Sequence, residues 1–99
     1  MPSTVPTRID AGDRPRLARG VRLTFDRARQ RHVLLSPETV VVLNATGTAI
    51  VELCDGERTV ADIVADLGSR YSKVVDADVR EFLAGLVGRR CVEVERDDR

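Results

Sequence analysis

The spacing of hydrophobic and polar positions changes period along the chain. Val21, Leu23 and Phe25 alternate with Arg22 and Thr24, and a period of two predicts a half-buried strand. Asp26 to Arg31 is a polar connection. His32 to Leu35 reads as a second strand, near enough to pair with the first as a hairpin. Ser36-Pro37-Glu38 interrupts it, because proline has no N–H to give to a ladder. Thr39-Val40-Val41-Val42-Leu43 is short and β-branched and predicts a third strand. The period then lengthens. Asn44 suits a helix N-cap, with Ala49, Ile50 and Leu53 at helical spacing behind it and a turn at Cys54-Asp55-Gly56-Glu57. Thr59 caps a second helix carrying the stripe Val60, Ile63, Val64, Leu67, with Gly68 as its expected stop. A third helix is expected from about Asp76 to Leu86 or Val87, on the stripe Val79, Phe82, Leu83, Leu86, Val87. Asp76 and Asp78 fall in its first turn, where carboxylates complement the helix dipole. Cys91 to Glu95 alternates again and fits a short closing strand.

These elements predict an α+β domain: a three-stranded antiparallel sheet followed by three helices, which cover its apolar face in a winged helix-turn-helix-like packing. Residues 1–15, with Pro2, Pro6, Pro15 and Gly12 among polar neighbours, read as a flexible N-terminal segment. The domain is expected over 16–95, with a charged tail at 96–99. A chain of 99 residues suffices for one hydrophobic core.

Composition sharpens the picture. Phe25, Tyr71 and Phe82 are the only aromatic residues, so the core must be aliphatic. Net charge is zero, yet residues 1–31 hold eight arginines against three aspartates, and the remainder is acidic. A basic N-terminal part would steer an acidic partner; arginines on a solvated strand edge would look the same. A nucleic-acid reader concentrates basic charge on its reading helix, whereas Asp76 and Asp78 stand at the start of the third helix and would repel phosphate. No apolar run reaches the roughly 20 residues of a membrane span. The N-terminus has no stretch of signal-peptide type. A cytoplasmic location is expected by default. Cys54 and Cys91 are far apart in sequence and are expected as buried or half-buried free thiols.

The residues offer little for catalysis. His32 is the only histidine and lies inside a predicted strand, without an evident partner for base work. One histidine and two distant cysteines make no metal spacing, and the scattered glycines form no phosphate loop. Neither a catalytic residue, a metal site nor a cofactor is expected. The third-helix stripe is first of all core. Its open flank, beside the Thr39–Leu43 strand, would nevertheless form a groove where an extended peptide adds as a further strand. A short exposed sheet edge would equally pair with its twin, so monomer and homodimer both remain open.

Leu34-Leu35-Ser36-Pro37-Glu38, Leu43-Asn44-Ala45-Thr46-Gly47, Ile50, Leu53-Cys54-Asp55-Gly56-Glu57-Arg58-Thr59-Val60, Ile63-Val64 and Leu67 together resemble the PqqD family. Asp78-Val79, Phe82-Leu83 and Leu86 extend the likeness, which covers roughly residues 15–95. The resemblance implies a non-catalytic peptide chaperone of pyrroloquinoline quinone biosynthesis, a recognition element for ribosomally made peptides. Such a domain binds the precursor peptide PqqA and presents it to the radical S-adenosylmethionine enzyme PqqE. It further implies a peptide site at Thr39, Val40, Val41, Val42 and Leu43 together with Asp78, Val79, Phe82, Leu83 and Leu86. The alternatives are a leader-peptide recognition domain of another peptide-modification pathway and, less in keeping with the charge, a winged-helix DNA-binding protein.

Overall fold

The computed structural model describes residues 8–71 and 76–95. The chain runs β1 (Arg14–Leu17), β2 (Arg22–Asp26), β3 (Arg31–Leu35), β4 (Val40–Val42), α1 (Ala45–Glu52), α2 (Val60–Arg70), α3 (Asp76–Gly88) and β5 (Val92–Glu95). β2, β3 and β4 form an antiparallel sheet in that order, and β1 pairs antiparallel with β5 in a separate ribbon. The fold is therefore α+β, with the three-stranded sheet leading into three helices.

Register decides which side chains meet. Leu23, Leu34 and Val41 stand opposite one another across the sheet. Leu34 is fully buried in the core, with Leu23 and Val41 packed against it. Thr24, Val33 and Val42 share the other face. The core is aliphatic as composition demands: Leu34, Val60, Ile63, Leu67, Val79 and Leu83 have no exposed surface, while Phe25 is 46 % exposed.

Side chains start the helices as their types allow. Asn44 Oδ1 accepts the Gly47 amide at 2.7 Å and caps α1. At α2, Thr59 Oγ1 accepts the Asp62 amide and the Asp62 carboxylate accepts the Thr59 amide, a reciprocal capping box. α2 does not stop at Gly68 as expected. It continues to Arg70, because Gly68 is exposed on the outer face and the Arg70–Asp66 pair at 2.8 Å spans it.

The N-terminal boundary is the main correction. Residues 1–15 were expected to be a flexible segment, but Arg14 and Pro15 belong to β1, and Pro15 is fully buried. Proline is tolerated there because each strand of a two-stranded ribbon is an edge. Further upstream, Ile9 is buried within the core, and its carbonyl accepts from Arg80 Nη1 at 3.0 Å. The carbonyls of Asp13 and Ala11 accept the Val60 and Ala61 amides, two donors in the first turn of α2 that the helix itself leaves unpaired. Residues 1–7 and the expected tail at 96–99 lie outside the described residues.

Pairing β1 with β5 also brings opposite charges together. β1 sets Arg14 opposite Glu95 and Arg16 opposite Glu93, and the latter two make an exposed ion pair at 3.3 Å.

Candidate functional site

β4 is an outer strand of its sheet. Leu43 N–H donates to the His32 carbonyl at 2.9 Å, and Ser36 N–H to the Thr39 carbonyl at 3.0 Å. These two bonds set the phase of the ladder. The backbone groups of Thr39, Val41 and Leu43 face β3, so those of Val40 and Val42 face away from it. The side chains of Val40 and Val42 are 44 % and 46 % exposed, high values for valine. Among the described residues no strand pairs with that side of β4, so an open main-chain edge and an apolar row coincide on one strand.

Asn44 ends this strand and begins α1, and α1 meets α3 at one ring. A Cβ on Gly47 would sit 3.0 Å from Phe82 Cε1 and 3.1 Å from Cζ, so the Phe82 ring rests directly on the bare helix backbone. α3 is thereby held beside the residues that follow β4. Val79, Leu83 and Leu86 point into the core, while Phe82 is half-buried and Asp78 exposed. Asp78, Phe82 and Gly85 fall on one face of α3, and Gly85 has open space where a side chain would be.

The predicted site residues therefore divide. Thr39, Val40, Val41 and Val42 lie on or next to the outer strand, and Asp78 and Phe82 on the accessible flank of α3. Leu43, Val79, Leu83 and Leu86 are core residues, at most 3 % exposed, which corrects the expectation that the last three help form an open flank. Their stripe is used up against α2 and β5, the elements α3 packs on. Gly47 was missed. Its signal was present, since a glycine in the first turn of a helix usually has a packing reason.

The chemistry of the surroundings suits binding. Burial, and secondarily the Asp55 charge, push the Cys54 thiol up to about 12, and its Sγ donates to the Ile50 carbonyl at 3.3 Å. Such a thiol is not a nucleophile near neutral pH. Both cysteines are buried and free. The His32 ring lies edge-on to Phe25 with centroids 5.1 Å apart. Among the described residues, no group of three or more His, Cys, Asp or Glu is placed to hold a metal ion, and no helix is long and apolar enough to cross a membrane.

Comparison with known proteins gives a consistent outcome. The family model for coenzyme PQQ synthesis protein D (PqqD) matches residues 31–92. The bifunctional coenzyme PQQ synthesis protein C/D of Methylorubrum extorquens is 43 % identical over 91 residues, covering 89 % of this chain; the chain spans only 24 % of that longer protein. The PqqA binding protein of Rahnella aquatilis is 40 % identical over 72 residues, covering 71 % of this chain and 76 % of its own length. Among solved structures, the solution NMR structure of the PqqD truncation of Methylobacterium extorquens PqqCD, described as a stand-alone recognition element for ribosomally synthesised and post-translationally modified peptides, superimposes with a TM-score of 0.78. It is 42 % identical, and the match covers 91 % of this chain and 99 % of that one. With a family model spanning β3 to the start of β5 and a relative of this identity matched over most of its length, the chain belongs to the PqqD family.

Proposed function

We propose that this protein is the peptide chaperone of pyrroloquinoline quinone biosynthesis, binding a PqqA-type precursor peptide as an added strand along the outer edge of β4. The observation that carries this reading is the free edge at Val40 and Val42 beside the Phe82 flank, in a chain whose relatives are named PqqA binding protein. The main-chain groups of Val40 and Val42 supply the ladder, and alternate guest side chains rest on the two valines and on the α3 flank. Leu43, Val79, Leu83 and Leu86 support this groove from beneath. The protein performs no chemistry itself: it orders the peptide and presents it to a PqqE-type radical S-adenosylmethionine enzyme. We read the three helices beside the sheet as winged-helix-like packing and assign the protein to the cytoplasm, where a ribosomal peptide is made.

Titration of the nitrogen-15-labelled protein with the precursor peptide tests the reading. Amide shifts concentrated at 39–43 and 78–87, with about micromolar affinity, are expected. Shifts absent both with and without the modifying enzyme would overturn it. Shifts confined to another face would keep the chaperone role and remove the groove.

A further inference from the structure

We propose that a cleft on the opposite side of α1 from Phe82 is a docking site for an acidic segment of a partner protein. This goes beyond the peptide groove and does not depend on it. Ala45, Thr48, Ala49 and Glu52 share one face of α1, whereas Gly47, against Phe82, lies on the other. The first face lines a cleft of about 450 Å³, closed by the turn end of the β2–β3 hairpin and by the end of α2. Its wall is aromatic. Phe25 is 46 % exposed and stands edge-on to His32, and Tyr71 contributes from the end of α2. A large apolar ring left open beside a concavity is suited to an incoming apolar side chain.

Charge selects the occupant. Arg31 lines the cleft, is exposed, and among the described residues its side chain makes one long contact, 3.5 Å from Nη1 to the Leu43 carbonyl. Arg27, in the adjoining turn, is exposed too, and among the described residues neither makes an ion pair. The other arginines nearby are already engaged, Arg29 with Asp26 at 2.6 Å and Arg70 with Asp66 at 2.8 Å. Among the described residues, Glu52 is the single carboxylate lining the cleft, and it belongs to the α1 side, so the hairpin side is left positive. A guanidinium beside an aromatic wall takes a carboxylate in bidentate fashion while a neighbouring apolar side chain covers the ring. A basic segment would instead meet two unpaired arginines.

The probes are the acetylated, amidated tripeptides Glu-Leu-Glu and Lys-Leu-Lys, titrated into the nitrogen-15-labelled protein at low salt. Glu-Leu-Glu is expected to shift the amides of Phe25, Arg31, His32 and Thr48 at about millimolar concentration, with a response that fades as salt rises. Arg31→Gln should weaken this about fivefold, and Phe25→Ala should weaken it as well; both side chains are exposed, so the fold should survive either change. Saturating the protein with the precursor peptide should leave the cleft response in place. Equal response to both probes, no response to either, or an unchanged response in Arg31→Gln would overturn the proposal. So would displacement of the probe by the precursor peptide, because the cleft would then belong to the peptide site.

Discussion

Gly47 shows how much a single missing side chain can position. Its Cβ would meet Phe82 at 3.0 Å and the capping Asn44 Oδ1 at 3.1 Å, and that oxygen is held by its bond to the Gly47 amide. Neither neighbour can yield without loss: the ring would leave its seat, or the cap would open. Gly47→Val is therefore expected to cost about 1–3 kcal/mol by overpacking, read as a fall in the urea midpoint. In a Phe82→Ala background the penalty should shrink, and the double-mutant cycle isolates the contact. A penalty equal in both backgrounds would mean the ring does not rest on α1. Three aspartates make a second point at this scale. Asp26 is lowered chiefly by the Arg29 guanidinium, Asp55 by the Arg58 amide and Asp62 by the Thr59 amide. A carboxyl whose folded-state value is depressed adds stability that is complete above the unfolded-chain value near roughly pH 4 and is lost as pH falls through the folded value. Urea midpoints should accordingly hold steady above that value and decline below it. Asp62→Asn should flatten the decline while lowering the plateau only slightly, since the asparagine oxygen still accepts the Thr59 amide and only the charge is lost. A decline unaltered by Asp62→Asn would assign it to other groups.

Strands and helices of this chain differ in how plainly the sequence announces them. The three helices were legible from their starts: Asn44 and Thr59 cap α1 and α2, and Asp76 and Asp78 stand in the first turn of α3. The buried residues of α2 and α3 follow helical spacing, whereas α1 is buried at five consecutive positions, 47–51. The end of α2 was not legible, because Gly68 stops a helix only where the next turn has nothing to hold it. Strand β2 was legible from alternation, β3 from its place as a hairpin partner, and β4 from its β-branched run after the Pro37 break. Alternation does not say which strand is outermost, however, and the candidate site depends on that. The edge assignment makes an expectation that neighbouring prolines can check. The Val42 N–H faces away from β3, so Val42→Pro removes an edge donor without opening the β3–β4 ladder. It should weaken binding of the precursor peptide about tenfold with little change in thermal midpoint. Val41→Pro removes a ladder bond and brings a ring against β3, so it should destabilise the domain by about 3 kcal/mol or more. Calorimetry of both variants and peptide titration of Val42→Pro decide the matter. Two variants equally destabilised would show that β4 has no free side.

At the scale of the whole molecule, the unexpected feature is that the start of the chain completes the core instead of preceding it. Prolines and Gly12 among polar residues make 1–15 read as a flexible leader, since no local signal shows that Ile9 will be buried or that the strand holding Arg14 and Arg16 will pair with the one holding Glu93 and Glu95. Such pairing is set by long-range geometry, which period and composition do not encode. The matched family region begins at residue 31 and omits this strap. Yet the strap provides a core side chain through Ile9, acceptors for two α2 amides through Ala11 and Asp13, and the partner strand of β5. It is thus expected to contribute to stability without touching the peptide edge. Ile9→Ala should cost about 2–4 kcal/mol, seen as a lower urea midpoint with an unchanged slope. Affinity for the precursor peptide, measured well below the unfolding transition, should stay the same, because Ile9 is tied to α3 at Arg80, on the opposite face of that helix from Phe82. Arg80→Ala should give a smaller loss of the same kind, through the bond to the Ile9 carbonyl. If Ile9→Ala were neutral, the domain would be complete from β2 onward and the strap an ornament. If it lowered affinity while the fold stayed intact, the strap would be part of the recognition surface, and the boundary of the functional unit would have to be drawn ahead of β1.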